Sequence, residues 1–477
     1  MNTKKQKITT GALFAVFLCS LVHLAVHIFP ELLPSDGLSA PDKILSQAGR
    51  YEKIVEVSLG KVEICGYKQM GSTPGLVRLS PDGSRIIVGT ESGEMMLLNE
   101  KGESLWRRKI GMGRISAMEF SRDNRFVLVG ENSQQGTILC LETASGIERW
   151  RKATIEELGV DIRQRTFPGI MSINVDARGN SYAVALRSIR FPHGKTQYSA
   201  RIYKFDPQGM MTLFPRDHNI DVWVSWCDVD ESGSTLVFGT SDYTPQPERR
   251  FKDNIYAFDT LTGEMRWSRA LTTVPPYDRT NMRFGPEISA DGKYLGGVSA
   301  DGRGFLLDIH GRLIWSRTLS APQQLQGVYV NAMGHAVQHV GEYVAFSTGN
   351  TYNRANWQLS TPFEHPQSNS VFLFDRSGNF LKRRKLGGMV EELQVAGNEL
   401  VVAVGRNIRS KDSSIHGLAV YAAPELDFID FMPMDGPCVA AAVGKTLVVG
   451  IETPLQLDNG EVTGAYKLHV WRKTGSY

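Results

Sequence analysis

An all-β fold, a single β-propeller closed from repeated four-stranded sheets, is predicted by three features of the sequence. The first is a pattern that returns along residues 51–477: an apolar strand, a tight turn, two more apolar strands, a glycine turn and a short strand ending in tryptophan. The second is the interval from the last turn glycine to that tryptophan, four residues in Gly102/Trp106, Gly146/Trp150, Gly263/Trp267 and Gly311/Trp315. Gly209/Leu213 and Gly378/Lys382 keep the glycine and change the last residue. The third is a separate series of inner turns at Gly83, Asn124, Gly179, Gly233, Gly292, Gly341, Gly397 and Gly444. Four strands per unit at a period of ~40–50 residues is the propeller signature, so these turns predict eight blades, with seven as the alternative.

Each element has a physical reason. Asp-Gly and Asn-Gly style turns supply the positive φ that a tight hairpin demands. A sheet that is apolar on both faces is buried only between two neighbours. Trp106, Trp150, Trp267 and Trp315, at one fixed place on the outermost strand, are expected to wedge structurally between adjacent blades. The last unit shows three clear strands, at 438–443, 445–451 and 466–473. Residues 53–59 would complete it from the N-terminal side and tie both ends of the chain together, leaving only short edges.

The N-terminus reads differently. Lys4, Lys5 and Lys7 precede an uncharged run over residues 8–29, long enough to cross a bilayer core as a helix. The nearest cleavage candidate, Leu38-Ser39-Ala40, lacks the small-x-small pattern of a secretory signal, and Cys19 follows Leu18 where a lipoprotein signal needs a small residue. The expected organisation is a cytoplasmic basic tail (1–7), a transmembrane signal anchor (8–29), a Pro-rich linker (30–50) and an extracytoplasmic propeller (51–477), periplasmic in a Gram-negative cell. His23 and His27 share one face of the anchor, where neutral interfacial imidazoles are expected rather than haem ligands.

Composition narrows the function. The chain has 477 residues, 42% hydrophobic and 22% charged, which excludes a disordered or collagen-like chain. Lys+Arg 53 against Asp+Glu 50 leaves +3 with no basic half, so nucleic acid is not an expected partner. Cys19, Cys65, Cys140, Cys227 and Cys438 include no C-x-x-C, and their spacing leaves any disulfide connectivity open. His335 and His339 sit in a strand pattern that would hold them ~13 Å apart, too far for one ion. No nucleophile elbow, zinc-protease helix or phosphate-cradling loop occurs. Asp82, Asp259, Asp291 and Asp308 stand in turns, where Asp caps its own backbone. Basic clusters such as Arg107-Arg108-Lys109, Arg151-Lys152 and Lys382-Arg383-Arg384-Lys385 are expected to keep the outer rim solvated and unpaired, with an anionic surface as the sharper reading.

In a propeller the loops between second and third strands share one face with the blade-to-blade connectors. The other two sets of turns share the opposite face and are short here throughout. Insertions on the first face are uneven: 187–199, 241–253, 349–370, 406–416 and 452–465, with long connectors at 153–167 and 271–284. Long loops on a rigid scaffold carry function. Candidate binding residues are Arg190, His193, Tyr243, Arg249, Arg250, Phe251, Tyr352, Asn353, Trp357 and His365, rich in the Arg and aromatic types of binding hot spots.

Residues 257–267, Ala-Phe-Asp-Thr-Leu-Thr-Gly-Glu-Met-Arg-Trp, resemble the repeat of the quinoprotein-like propellers, and residues 141–150 are a second good copy. The resemblance covers most of 51–477 and implies the fold more strongly than an activity. A quinone-dependent dehydrogenase of that superfamily would show a vicinal cysteine pair, which is missing here. No catalytic residue, metal ligand or cofactor is therefore expected. The predicted function is a membrane-anchored scaffold that binds a protein partner in the bacterial cell envelope. It is similar in kind to the propeller scaffold of outer-membrane β-barrel assembly. A quinone-dependent dehydrogenase and an accessory subunit of a membrane redox complex are the alternatives.

Overall fold

A computed structural model of the chain describes residues 48–60, 77–111, 113–161, 166–191, 196–242, 248–277, 280–282, 284–325, 328–353, 356–360, 364–406, 415–457 and 459–475. The expected anchor lies outside these residues. Among the described residues no helix is long and apolar enough to cross a membrane.

Eight sheets form a closed ring. Blades 1 to 7 occupy 77–109, 114–153, 169–214, 227–269, 287–318, 323–385 and 390–433, each running from an innermost to an outermost strand. Blade 8 orders its strands Cys438–Val443, Leu447–Glu452, Tyr466–Lys473 and, outermost, Tyr51–Gly60. The N-terminal strand therefore closes the ring as the residue pattern predicts, Tyr51 opposite Lys473 and Lys53 opposite Trp471. Innermost strands of neighbouring blades touch all the way round.

Alternation in each strand puts apolar side chains on both sheet faces, so the core divides among the blade interfaces. Val77, Val88 and Met96 of blade 1 meet Ala440, Val449 and Val470 of blade 8. Tyr182, Ile202 and Phe214 of blade 3 meet Cys227, Phe238 and Phe258 of blade 4. Similar clusters fill the remaining interfaces. Burying apolar area at roughly 25 cal/mol per Å² makes these interfaces the main stabilising term.

The constant glycine-to-tryptophan interval has a structural cause. Each tryptophan lies on the turn glycine of the following blade. A Cβ on Gly378 (φ +85°) would stand 2.7 Å from the Trp315 ring, and one on Gly311 (φ +83°) 2.7 Å from Trp267. Glycine is required there twice, by the positive φ and by the ring above it. The indole nitrogen then donates into the same turn: Trp106 to the Thr143 carbonyl (2.9 Å), Trp267 to Ile309 (3.0 Å) and Trp315 to Arg376 (3.0 Å).

Two expectations are corrected. The 187–199 insertion is not a loop over its length, because Ser181–Arg190 and Thr196–Phe205 stay paired out to Arg190 opposite Thr196. The 349–370 insertion likewise extends its sheet: Tyr343–Asn353 pairs with Val328–Val340, and Gln323–Leu325 and Asn356–Ser360 add to this raised tab. The chain satisfies its backbone groups by continuing the ladder instead of leaving it. Cys140, Cys227 and Cys438 are free and buried. The turn aspartates behave as expected: Asp82 accepts from the Ser80 hydroxyl (2.6 Å) and the Ser84 amide (3.0 Å), and Asp259 from the Leu261 and Thr262 amides (both 2.9 Å).

Candidate interaction face and central channel

Strand direction sorts the turns onto two faces. The described insertions, the 181–205 hairpin, the 323–360 tab and a small hairpin of Leu455–Gln456 with Val462–Thr463, stand on the face that also carries the blade connectors. One connector holds a helical turn, Ile155–Leu158, with Leu158 buried against blades 2 and 3. The opposite face consists of tight turns.

On the elaborated face the candidate residues separate. Arg249 is buried, paired with Asp242 and lying 5.6 Å over the Tyr198 ring, which meets Trp223 edge-on at 5.8 Å. Phe251 is buried against Tyr256 (4.9 Å) and Phe238 (6.4 Å). The Asp221 carboxylate draws this segment down by accepting from the Arg250 amide (2.8 Å) and the Phe251 amide (3.2 Å). Of the three, the Arg250 side chain remains exposed. His365 is 2% exposed; its Nε2 faces the Ala321 carbonyl at 2.7 Å, and its Nδ1 accepts from the Gln367 amide at 3.1 Å. Burial pulls its pKa down to about 4, so it is neutral and knits the tab to blade 5. Arg190 ends the hairpin strand, and Tyr352, Asn353 and Trp357 lie on the strands of the tab. His193 and Tyr243 lie outside the described residues.

His335 and His339 share the strand Val328–Val340 but serve different places. The His335 ring meets Phe284 at 4.6 Å beside the channel. The His339 Nε2 lies 3.1 Å from the Glu287 carbonyl between blades 5 and 6, and burial lowers its pKa to about 4. Among the described residues no three metal-ligating side chains gather.

Inside the ring is a cavity of about 360 Å³, lined by the innermost strands. Its polar side chains form two arcs. In the first, Arg78 of blade 1 reaches Glu119 of blade 2 (3.2 Å) and Glu392 of blade 7 (3.4 Å). Blade 8 contributes the apolar Ala442 and Val443 there, and Glu392 also accepts from the Ala441 amide (2.8 Å). Burial works against the Arg78 charge, but Glu392 and Glu119 outweigh it. In the second arc, Asn174 of blade 3 donates to the Cys227 carbonyl of blade 4, and Asp228 accepts from the Ile288 amide of blade 5 (2.7 Å). Asp228 shares a hydrogen bond with Glu287 of blade 5, which accepts from Gln338 of blade 6 (3.0 Å). Burial pushes the Asp228 pKa up to about 6, and burial together with the Asp228 charge pushes Glu287 well above the carboxylate range. Once Asp228 has ionised, the two carboxyls therefore hold one proton between them, kept on Glu287.

Sequence reasoning missed this belt and the latch on the outer rim. Arg108 donates to the Ser145 carbonyl (2.9 Å), Arg269 to Gly311 (2.8 Å), Arg317 to Gly378 (3.0 Å) and Arg384 to Leu426 (2.8 Å), each in the next blade's outer turn. An Arg two residues beyond the tryptophan position is the signal that would have found the latch.

Comparison with known proteins agrees with this architecture. Residues 53–188 match the family described as outer membrane protein assembly factor BamB. Among solved structures, Sqt1 of Saccharomyces cerevisiae is 10% identical, over 87% of this chain and 99% of its own, with a TM-score of 0.55, a likeness of fold. The WD40 repeats of RRP9 (13% identity, 75% of this chain and 94% of that one, TM-score 0.48) and BamB from Moraxella catarrhalis (16%, 74% and 94%, TM-score 0.40) also match. No curated protein matches the chain. The closed ring makes the chain a β-propeller, and the family match covers its residues 53–188, from the outermost strand of blade 8 through blades 1 and 2 into blade 3.

Proposed function

We propose that this protein is a non-catalytic scaffold of the bacterial cell envelope, anchored in the membrane by residues 8–29, that holds a protein partner against its elaborated face. The observation that carries the reading is the one-sidedness of the ring: hairpin, tab and connectors stand on one face and tight turns on the other. A rigid ring with one irregular face suits recognition, and an anchor raises local concentration at the membrane.

The superfamily's quinone, held with a calcium ion, does not fit the channel. Glu119 and Glu392 are committed to Arg78, Asp228 to Glu287, and the sequence has no vicinal cysteine pair. The channel residues pair with one another across blades, which is structural work.

Because Arg249, Phe251 and His365 are part of the core, the test alters only the raised parts. Shortening the hairpin tip (190–196) and removing 354–363 should release the partners captured from mild detergent, with the melting temperature unchanged. Full retention of those partners would refute the face assignment.

A further inference from the structure

The seam between blades 7 and 8 departs from the rest of the rim. The four-residue interval that leads from Gly102 to Trp106 leads in blade 7 from Leu426 (φ +50°) to Asp430. Asp430 stands opposite Val420 in its ladder as Trp315 stands opposite Leu306. A carboxylate thus occupies the place that holds an indole in blades 1, 2, 4 and 5. Two residues on, where Arg317 follows Trp315, blade 7 has Met432.

The turn that Asp430 meets explains the exchange. In blades 1 to 7 the outer turn is an unbroken hairpin, and in the seams described above its carbonyls accept from indole and guanidinium. In blade 8 it is made of two separate stretches of chain, and the incoming one presents amides. Asp430, 0% exposed, accepts from the Ala48 amide (2.5 Å), the Tyr51 amide (2.9 Å) and the Phe431 amide (2.8 Å). Glu399, also of blade 7, accepts from the Tyr51 hydroxyl (3.0 Å) and from the Lys473 ammonium, so it gathers residues of both stretches. Thr474 joins them, its amide (2.8 Å) and hydroxyl (2.9 Å) both donating to the Arg50 carbonyl.

Beyond this point the strand Tyr51–Gly60 is lightly held. It pairs with one strand, Tyr466–Lys473, in a ladder with two register shifts. Among residues 51–59 only Tyr51 and Leu59 are buried. Against blade 1 it sets Val55 on Gly102, with Val57 two residues later, so it carries neither part of the outer latch. The ion pairs of Glu56 with Lys53 (2.6 Å) and Lys467 (3.1 Å) are partly exposed, and such pairs contribute little.

We propose that Tyr51–Gly60 is a releasable strap and that Asp430, with Glu399, is the clasp that holds it, so that the ring opens at blade 8 while blades 1 to 7 stay folded. Local opening of this kind follows the element with the least burial and the fewest ladder partners. On the anchored reading given above, the clasp is also where residues 1–47 are fastened to the ring. The proposal itself stands on residues 48–475 and does not need the membrane.

The test is amide hydrogen exchange on the full chain in mild detergent, read by mass spectrometry on segments 51–60, 466–473 and, for comparison, 114–120 and 235–239. In Asp430→Asn, which puts an amide donor against amides, exchange at 51–60 should quicken at least about tenfold, with 466–473 following and 114–120 and 235–239 unchanged. Glu399→Gln should give the same pattern at about threefold. Faster exchange spread evenly over all four segments, or none at 51–60, overturns the clasp. The unsubstituted protein supplies a second arm that needs no variant to fold. In rising urea, 51–60 should lose protection before 114–120, and simultaneous loss overturns the strap.

Discussion

The outer seam and the inner belt hold the same eight blades together by different means. The seam repeats one device: in blades 1, 4 and 5 an indole, and two residues later a guanidinium, sit on the next blade's turn backbone in one register. Its acceptors are carbonyls, so nothing in it titrates near neutrality. The belt is heterogeneous. One arc turns on the Arg78 charge and the other on a shared proton, so each link differs from its neighbour. Repetition makes the ring, and the departures from it lie where the blades converge. Stability should therefore be insensitive to pH along the rim and sensitive to it at the centre.

The largest effect tests the seam. Trp315 is 6% exposed and meets Phe374 at 5.5 Å and Phe346 at 5.8 Å. Trp315→Ala should cost about 3–5 kcal/mol in urea unfolding, by the same amount at pH 5 and pH 8. A cost that changes with pH would break the distinction between seam and belt. Next comes Arg78→Met, which leaves Glu119 and Glu392 facing each other without their cation. The loss should be about 3 kcal/mol at pH 8 and smaller at pH 5, where Glu392, already raised by burial, takes up a proton.

The second arc predicts the opposite slope. Asp228 and Glu287 both have folded pKa values above their unfolded ones. Their contribution is complete below the unfolded values and is lost as pH rises through about 6 for Asp228 and higher for Glu287. The native protein should thus lose stability from this pair as pH rises from 5 to 8. Glu287→Gln keeps an acceptor for Gln338 and a donor for Asp228, and should flatten that part of the profile. An unchanged slope in the variant would show that the carboxyl pair is not its source.

The two systems were unequally legible in the sequence. The seam was visible because one amino acid recurs at one interval, and Gly102 through Gly378 announce every outer turn from blade 1 to blade 6. The belt has an equally regular address. Arg78, Glu119, Asn174, Asp228 and Glu287 stand five residues before Gly83, Asn124, Gly179, Gly233 and Gly292. It escaped notice because the residue type changes at every step, and a search for repeated identities cannot register a repeated position. The insertions misled for another reason. Composition marks 187–199 and 349–370 as departures from the repeat, but whether such a stretch loops out or continues its ladder depends on partners across the sheet. Likewise Arg249 and Phe251 carry the residue types of a binding surface. Asp221, thirty residues earlier and able to bond their backbone, is what turns that segment inward.

The smallest effect discriminates most finely within the seam. Arg317 donates to the Gly378 carbonyl at 3.0 Å and lies 5.9 Å over the Trp315 ring, so one side chain holds both the wedge and the turn beneath it. Its guanidinium is only partly buried, and a bond of this kind contributes about 1 kcal/mol net. Arg317→Met keeps the apolar stem over the indole and removes the donor, so it should lower the unfolding free energy by about that amount, independent of pH. In the double variant with Trp315→Ala the two losses should fall short of their sum, because the guanidinium then lacks the ring it lies on. Full additivity would mean that tryptophan and arginine grip the turn separately, and the repeated pair would be two devices sharing an interval instead of one.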